Sequence, residues 1–195
     1  QMNRKLIPQD LSRTAIVITT GTTSTGSIDE IITSNKEAWF HIDAAWAGPL
    51  RFSKKYQERL NGIEFADSIS ISAHKWLFQP KESGIILFKD HKKSHEAISF
   101  GAEYLAVPNI GLLGSHGAIA IPLLATLLSW GRLGLEKRIN TSMKLADELL
   151  NNLLEIKGVT TYGPNVSGVI LWRHEKFSVS EIHNALPSGM SSTTK

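Results

Sequence analysis

Residues 67–76 read DSISISAHKW. Isoleucines at 69 and 71 alternate with serines, the period-two pattern of a strand with one apolar face. The pattern breaks at Ala73, and His74, Lys75 and Trp76 follow at once. A lysine just past a strand end stands where open α/β sheets hold their ligands, beyond the carboxyl ends of the strands. The neighbouring sequence decides whether such a sheet exists.

Upstream, Thr14–Thr20 (TAIVITT) is β-rich and apolar almost throughout, as in a strand covered on both faces. It runs into GTTSTGSIDE, where Ser27 and Glu30 have capping-box spacing and predict a helix starting near Ile28. Ala38–Asp43 (AWFHID) reads as a second strand, followed by the small-residue string AAWAG. Pro49–Leu60 reads as a loop and then a helix. Downstream, Gly84–Lys89 (GIILFK) is a fourth strand, apolar on both faces. Four strands with short connections predict an α/β layer with a mostly parallel sheet, the last pair being open to an antiparallel arrangement.

After residue 90 the character changes. HKKSH (91–95) is polar and reads as a solvated loop, and Ile110–Gly117 is glycine-rich and loop-like. Ala118–Trp130 is an apolar helix started or bent by Pro122, and Gly131 and Gly134 punctuate the chain. Leu135–Ile156 is a long helix with apolar residues at 135, 139, 145, 149, 150, 153 and 154, so one face is expected to be buried. Gly158–Tyr162 and Gly168–Trp172 are short strands, and Ser180–Leu186 is a last helix. This half reads as α+β material entered through the long helix.

The 195 residues suffice for an ordinary core, and 42% apolar with 20% charged residues is globular composition. The net charge of +3 comes from scattered Lys and Arg without a basic stripe, so no nucleic-acid partner is inferred. No apolar run approaches the ~18 residues of a membrane span, so no membrane partner is inferred either. The absence of cysteine removes disulfides, thiolate metal sites and cysteine nucleophiles together, and fits a reducing compartment. His91 and His95 are spaced for a shared metal only on a helix, with no carboxylate beyond Glu96, so no metal site is expected. His174 and His183 form no constellation.

Three strand ends remain: Thr20-Gly21-Thr22-Thr23, His41-Ile42-Asp43, and Ser72-Ala73-His74-Lys75. Together they supply hydroxyls, a carboxylate, an imidazole and an amine along one edge. A pyridoxal 5'-phosphate site needs this set. A desolvated lysine binds the cofactor aldehyde covalently, and a carboxylate keeps the pyridine nitrogen protonated. Small residues such as Ala44 and Ala45 let a ring lie near the backbone, while hydroxyls and N–H groups hold phosphate. Each residue alone has an ordinary explanation: Asp43 as a turn residue, His74 as surface, GTTST as a hydroxyl-bonded turn. Their convergence on one sheet edge argues for the site.

GTTSTGSID, HIDAAWAG and ADSISISAHKWLFQP, in that order, resemble the cofactor-binding stretches of the group II pyridoxal-phosphate-dependent amino-acid decarboxylases. Residues 14–90 carry the resemblance, and EYL with LLATLLSWGRLGLEKRI resembles the passage into that family's C-terminal domain. It implies an α/β, fold type I (aspartate aminotransferase-like) architecture. Residues 1–110 would be the C-terminal portion of the large, cofactor-binding domain. Residues 111–195 would be linker helices and part of a small α+β domain.

By the same resemblance, Lys75 would be the covalent anchor and Asp43 the partner of the pyridine nitrogen. Ala45 would pack on the ring, Thr23 would lie by the ring hydroxyl, and Ser72 and His74 would lie near the phosphate. His41 would have a supporting role. The implied reaction is decarboxylation of an amino acid to an amine in a cytoplasmic homodimer, with the diaminobutyrate type preferred among substrates. The family's phosphate loop and ring-stacking histidine have no counterpart here, so the chain is expected to be an internal segment. No role is assigned to Tyr104 or His116. Another reaction on the same scaffold, such as transamination or carbon–sulfur cleavage, stays open, as does a non-catalytic remnant.

Overall fold

The computed structural model describes residues 10–31, 37–100, 109–110, 118 and 120–194. Strands β1 (Ala15–Thr19), β2 (Trp39–Asp43), β3 (Ser68–Ser72) and β4 (Gly84–Phe88) form one sheet in the order β1-β2-β3-β4. The first three are parallel, with Thr19 opposite Asp43 and Asp43 opposite Ser70. β4 closes the edge antiparallel to β3. The sheet is therefore mixed and mostly parallel, as the sequence predicts.

Alternation sorts the strand residues into two faces. Ile16, Ile18, Phe40, Ile42 and Ala44 are buried on one of them. They pack in one core with Leu50 and Leu60 and with Leu135, Ile139 and Met143 of the long helix. The other face carries Val17, Trp39, His41, Asp43, Ser68 and Ser70, and Val17 and Trp39 are exposed. So β1 is covered on one face in this chain, not on both. Ile86 and Leu87 on β4 are likewise exposed.

Several connections differ from expectation. No helix begins at Ile28; Ile28 instead bridges Thr20, and Asp29 N–H donates to the Thr19 carbonyl at 3.0 Å. Ser27 Oγ, the expected cap, is bonded to Thr25 Oγ1 at 2.7 Å. Pro49–Leu60 forms two 3-10 turns, Gly48–Phe52 and Gln57–Leu60, in place of a helix. The segment read as a solvated loop is helix α1 (His91–Ile98), capped by Asp90, whose side chain accepts from Lys93 N–H. His91 and His95 are thus helical, yet no group among the described residues could hold a metal ion. A two-residue pair, β5 (Ser99–Phe100) with β6 (Asn109–Ile110), follows α1. Tyr104 and the rest of the Ile110–Gly117 loop, His116 included, lie outside the described residues.

The two expected helices join as α2 (Ala120–Leu154), broken by a non-helical Gly131 at φ 58° and ψ −178°. Its buried stripe is Leu135, Ile139, Met143, Ala146 and Leu153, a 3.6-residue pattern that leaves Leu145, Leu149 and Leu154 exposed. No helix among the described residues is long and apolar enough to cross a membrane. A hairpin of β7 (Val159–Thr161) and β8 (Trp172–His174) precedes α3 (Val179–Ala185). β8 starts later than predicted, at Trp172 in place of Gly168. Ser178 and Glu181 cap α3 reciprocally, and the two Ser178 bonds hold the Glu181 carboxyl below its usual range.

Residues 165–168 tie the C-terminal half to the sheet. Ser167 Oγ donates to the Gly26 carbonyl at 2.7 Å, and Trp46 Nε1–H donates to the Ser167 carbonyl at 2.7 Å. Gly26 sits at φ +66°, where an added Cβ would stand 2.6 Å from Ser167 Oγ and 2.8 Å from Val169 Cβ. Gly26→Ala is expected to cost more than about 1 kcal/mol, through left-handed backbone strain and this clash together. A denaturant midpoint unchanged from wild type would show that the contact is dispensable.

Candidate active site

The register of β1, β2 and β3 brings their carboxyl ends level. Thr20 N–H and Oγ1–H both donate to the Asp43 carbonyl, at 2.8 and 3.3 Å. Ala44 N–H donates to the Ser70 carbonyl at 2.9 Å, joining the β2 end to β3. Asp43 is half-buried, and its Oδ1 accepts Ala45 N–H at 3.1 Å. That bond turns the chain sharply after the strand, as Asp does when it caps its own backbone. Ser72 N–H reaches the Ala45 carbonyl at 3.4 Å. Asp43, Ala45 and Ser72 are thereby held together at one edge.

Lys75 follows in a tight turn, its N–H donating to the Ser72 carbonyl at 3.3 Å. Its side chain is half-buried, with Nζ 5.9 Å from the centre of the Trp46 ring. It lines a cavity of about 270 Å³ with Trp46, Trp76, Phe78, Arg138 and Gly168. Trp46 and Trp76 meet edge to face, 5.8 Å between centres. His74 Nδ1 is buried and has no hydrogen-bond partner among the described residues. A buried ring nitrogen left unpaired is costly and calls for a ligand atom or water.

The GTTST loop divides its hydroxyls. Thr25 Oγ1 bonds both Thr22 Oγ1 and Ser27 Oγ at 2.7 Å, which is the turn-forming role. Thr23 stays outside this cluster and is exposed. No side-chain bond links it to the other candidate residues among those described. The neighbouring Gly21 has φ +92°, and a Cβ there would lie 2.8 Å from Trp46 Cδ1. Glycine lets the loop close over the tryptophan that walls the cavity.

The cavity walls escaped sequence reasoning. Arg138 and Gly168 arrive from α2 and from the 165–168 loop, far away in the chain. The tryptophans of AAWAG and HKW carried no pattern beyond their motifs. Phe78 was also missed; it has φ +55° and is the one non-glycine residue with positive φ among those described. Such strain clusters at functional sites.

Residues 2–160 match the family model described as the pyridoxal-dependent decarboxylase conserved domain. The chain belongs to this family. It is 37% identical over 143 residues to the aspartate 1-decarboxylase of Aliivibrio fischeri, covering 68% of this chain and 26% of that protein. It is 30% identical over 176 residues to the L-2,4-diaminobutyrate decarboxylase of Rhizobium meliloti, covering 82% of this chain and 35% of that protein. The crystal structure of Catharanthus roseus tryptophan decarboxylase in complex with L-tryptophan superposes with a TM-score of 0.71 at 23% identity, over 87% of this chain and 39% of that one. At that identity the likeness speaks for the fold, which is the fold type I architecture expected from the motifs. The chain spans about a third or less of the length of these two curated relatives.

Gly21→Ala is expected to displace Trp46 and so open the cavity wall. The check is near-ultraviolet circular dichroism, where the Trp46–Trp76 pair should lose signal while the far-ultraviolet spectrum stays unchanged.

Proposed function

We propose that this chain carries the cofactor edge of a pyridoxal-phosphate-dependent decarboxylase that converts an amino acid to its amine and carbon dioxide. The observation that supports it is the level register of the strand ends. It sets Asp43, Ala45 and Ser72 side by side, with Lys75 at a cavity three residues further on. The residues suit pyridoxal phosphate: an amine in a half-buried wall, a half-buried carboxylate, and an unpaired buried imidazole nitrogen two residues past Ser72.

In this reading Lys75 would hold the cofactor covalently through Nζ. Asp43 would hold the pyridine nitrogen, and its turn bond to Ala45 N–H fixes the carboxylate. Ala45, lacking bulk, lets the ring approach the backbone. Ser72 and His74 would hold the phosphate, and Thr23 would lie by the ring hydroxyl. Trp46 and Trp76 exclude water from the Lys75 amine. When bound, pyridoxal phosphate supplies the electron sink for the electron pair left by departing carbon dioxide.

The division at residue 110 between large domain and linker plus small domain, the cytoplasmic location and the homodimer belong to the same proposal for the whole protein. Among substrates, the relatives that act on aspartate and on 2,4-diaminobutyrate favour a short polar amino acid.

The test is to load the full-length protein with pyridoxal phosphate, reduce with borohydride and map the adduct. Label on Lys75 is expected, and Lys75→Ala should abolish both label and turnover. Retained turnover in Lys75→Ala sinks the assignment.

Asp43→Ala is expected to lower turnover by on the order of a hundredfold or more, the scale of losing one preorganised partner of developing charge. Assay of released carbon dioxide against keto acid separates decarboxylation from transamination. Keto acid as the main product would replace the proposed reaction.

A further inference from the structure

The turn that carries Lys75 is one its main chain does little to hold. Ala73 N–H donates to the Ser83 carbonyl at 3.0 Å, and Gln79 N–H donates to the Ala73 carbonyl at 3.2 Å, which closes the base of the 73–79 loop. Inside the loop, Lys75 N–H reaches the Ser72 carbonyl at 3.3 Å and Phe78 N–H reaches the Lys75 carbonyl at 3.2 Å. Both bonds sit at or beyond the long end of the usual N–H···O range. Phe78 adds a cost, because its φ of 55° is left-handed backbone that a bulky L-residue rarely adopts.

The Gln79 side chain offsets that cost. It is buried, and its Nε2 donates to the Leu77 carbonyl at 2.7 Å and to Thr126 Oγ1 at 2.9 Å. A carbonyl oxygen can only accept, so the nitrogen end of the amide faces Leu77, and both amide hydrogens are used. The Leu77 carbonyl lies in the peptide plane that joins Leu77 to Phe78, and the orientation of that plane sets φ of Phe78. Holding the carbonyl therefore holds the left-handed residue. Thr126 lies on α2, so the same amide fastens the turn to a helix 47 residues further on. The Phe78 ring makes a second contact with α2, edge to face with Trp130 at 6.1 Å between centres.

We infer that Gln79 is a positioning residue for Lys75. Its bonds to the Leu77 carbonyl and to Thr126 lock the turn in which Lys75 stands at the cavity. Gln79 is not among the residues that line the cavity, and it acts through the turn alone. This role rests on Lys75 being the proposed covalent anchor.

Two measurements on the full-length protein decide it. The first is hydrogen–deuterium exchange without cofactor, read on the peptide covering residues 73–79. Thr126→Val keeps the shape and loses the hydroxyl, and should speed exchange there roughly tenfold, the scale of one buried hydrogen bond. Gln79→Leu loses both bonds and should speed it further. The second is the rate at which pyridoxal phosphate is trapped on Lys75 by borohydride, which should fall about tenfold in Thr126→Val and more in Gln79→Leu. Thr126→Ser, which keeps the hydroxyl, should retain wild-type values of both. The double variant should match Gln79→Leu, because the Thr126 hydroxyl has then already lost its partner. Faster exchange without slower trapping makes Gln79 a structural clamp only and overturns the inference. Unchanged exchange in Thr126→Val, additive losses in the double variant, or losses in Thr126→Ser overturn it as well. If Gln79→Leu does not fold, the two Thr126 variants decide alone. Each of these outcomes leaves the proposed function standing while the wild type is labelled at Lys75. A wild type unlabelled there overturns the proposed function and, with it, the role of Gln79 toward an anchor lysine.

Discussion

The rest of the structure depends on the parallel register of β1, β2 and β3. Three main-chain links carry it at the critical end: Thr20 N–H to the Asp43 carbonyl, Ala44 N–H to the Ser70 carbonyl, and Ser72 N–H to the Ala45 carbonyl. A one-residue slip of β2 would turn Asp43 into the apolar core and Ile42 out of it. That slip is opposed by Phe40, Ile42 and Ala44, all buried on the core face. Hydrophobic burial on one face therefore fixes where the carboxylate stands on the other. The chemistry at the edge inherits its precision from residues that never touch it.

Much of this was legible before any coordinates. The four strands lie within a residue or two of their expected spans, because alternation and β-branched content are local signals. The candidate residues Asp43 and Ser72 close strands β2 and β3, and a strand end is a feature of the sequence itself. What failed had both local and tertiary causes. The Ser27–Glu30 spacing suggested a helix, but Ser27 Oγ joined the threonine cluster and Ile28 paired with Thr20. HKKSH looked like solvated loop because it lacks apolar residues. It is helical because Asp90 caps it and one serine, Ser94, is buried. In α2, leucine at 145 and 149 drew attention from Met143 and Ala146, which the helical period places on the buried stripe.

The cavity beside Lys75 was not legible, and the reason is distance along the chain. Its walls come from the AAWAG and HKW motifs, from Arg138 on α2 and from Gly168. Asn165 holds the last of these in place. Its side-chain amide donates to the Met143 carbonyl and to Asp147 Oδ1, while its own oxygen accepts Gly168 N–H at 2.7 Å. One buried amide thus fastens the 165–168 loop to α2. Ser167 fastens the same loop to Gly26, two residues past the GTTS turn. No pattern within either segment announces that they meet.

The serines of β3 show how one strand serves two demands. Ile69 and Ile71 pack toward the core, while Ser68, Ser70 and Ser72 face the other way. A strand face of valines would have been more apolar, but it could not have satisfied Trp39 Nε1 or both nitrogens of His41. Ser68 and Ser70 do so at 2.7–3.1 Å. Polar groups on this face therefore come as a connected set, in which removing one strands its neighbours. Asp43 shares this face as the register partner of Ser70, and its own anchor is the main chain, since its Oδ1 accepts Ala45 N–H at 3.1 Å.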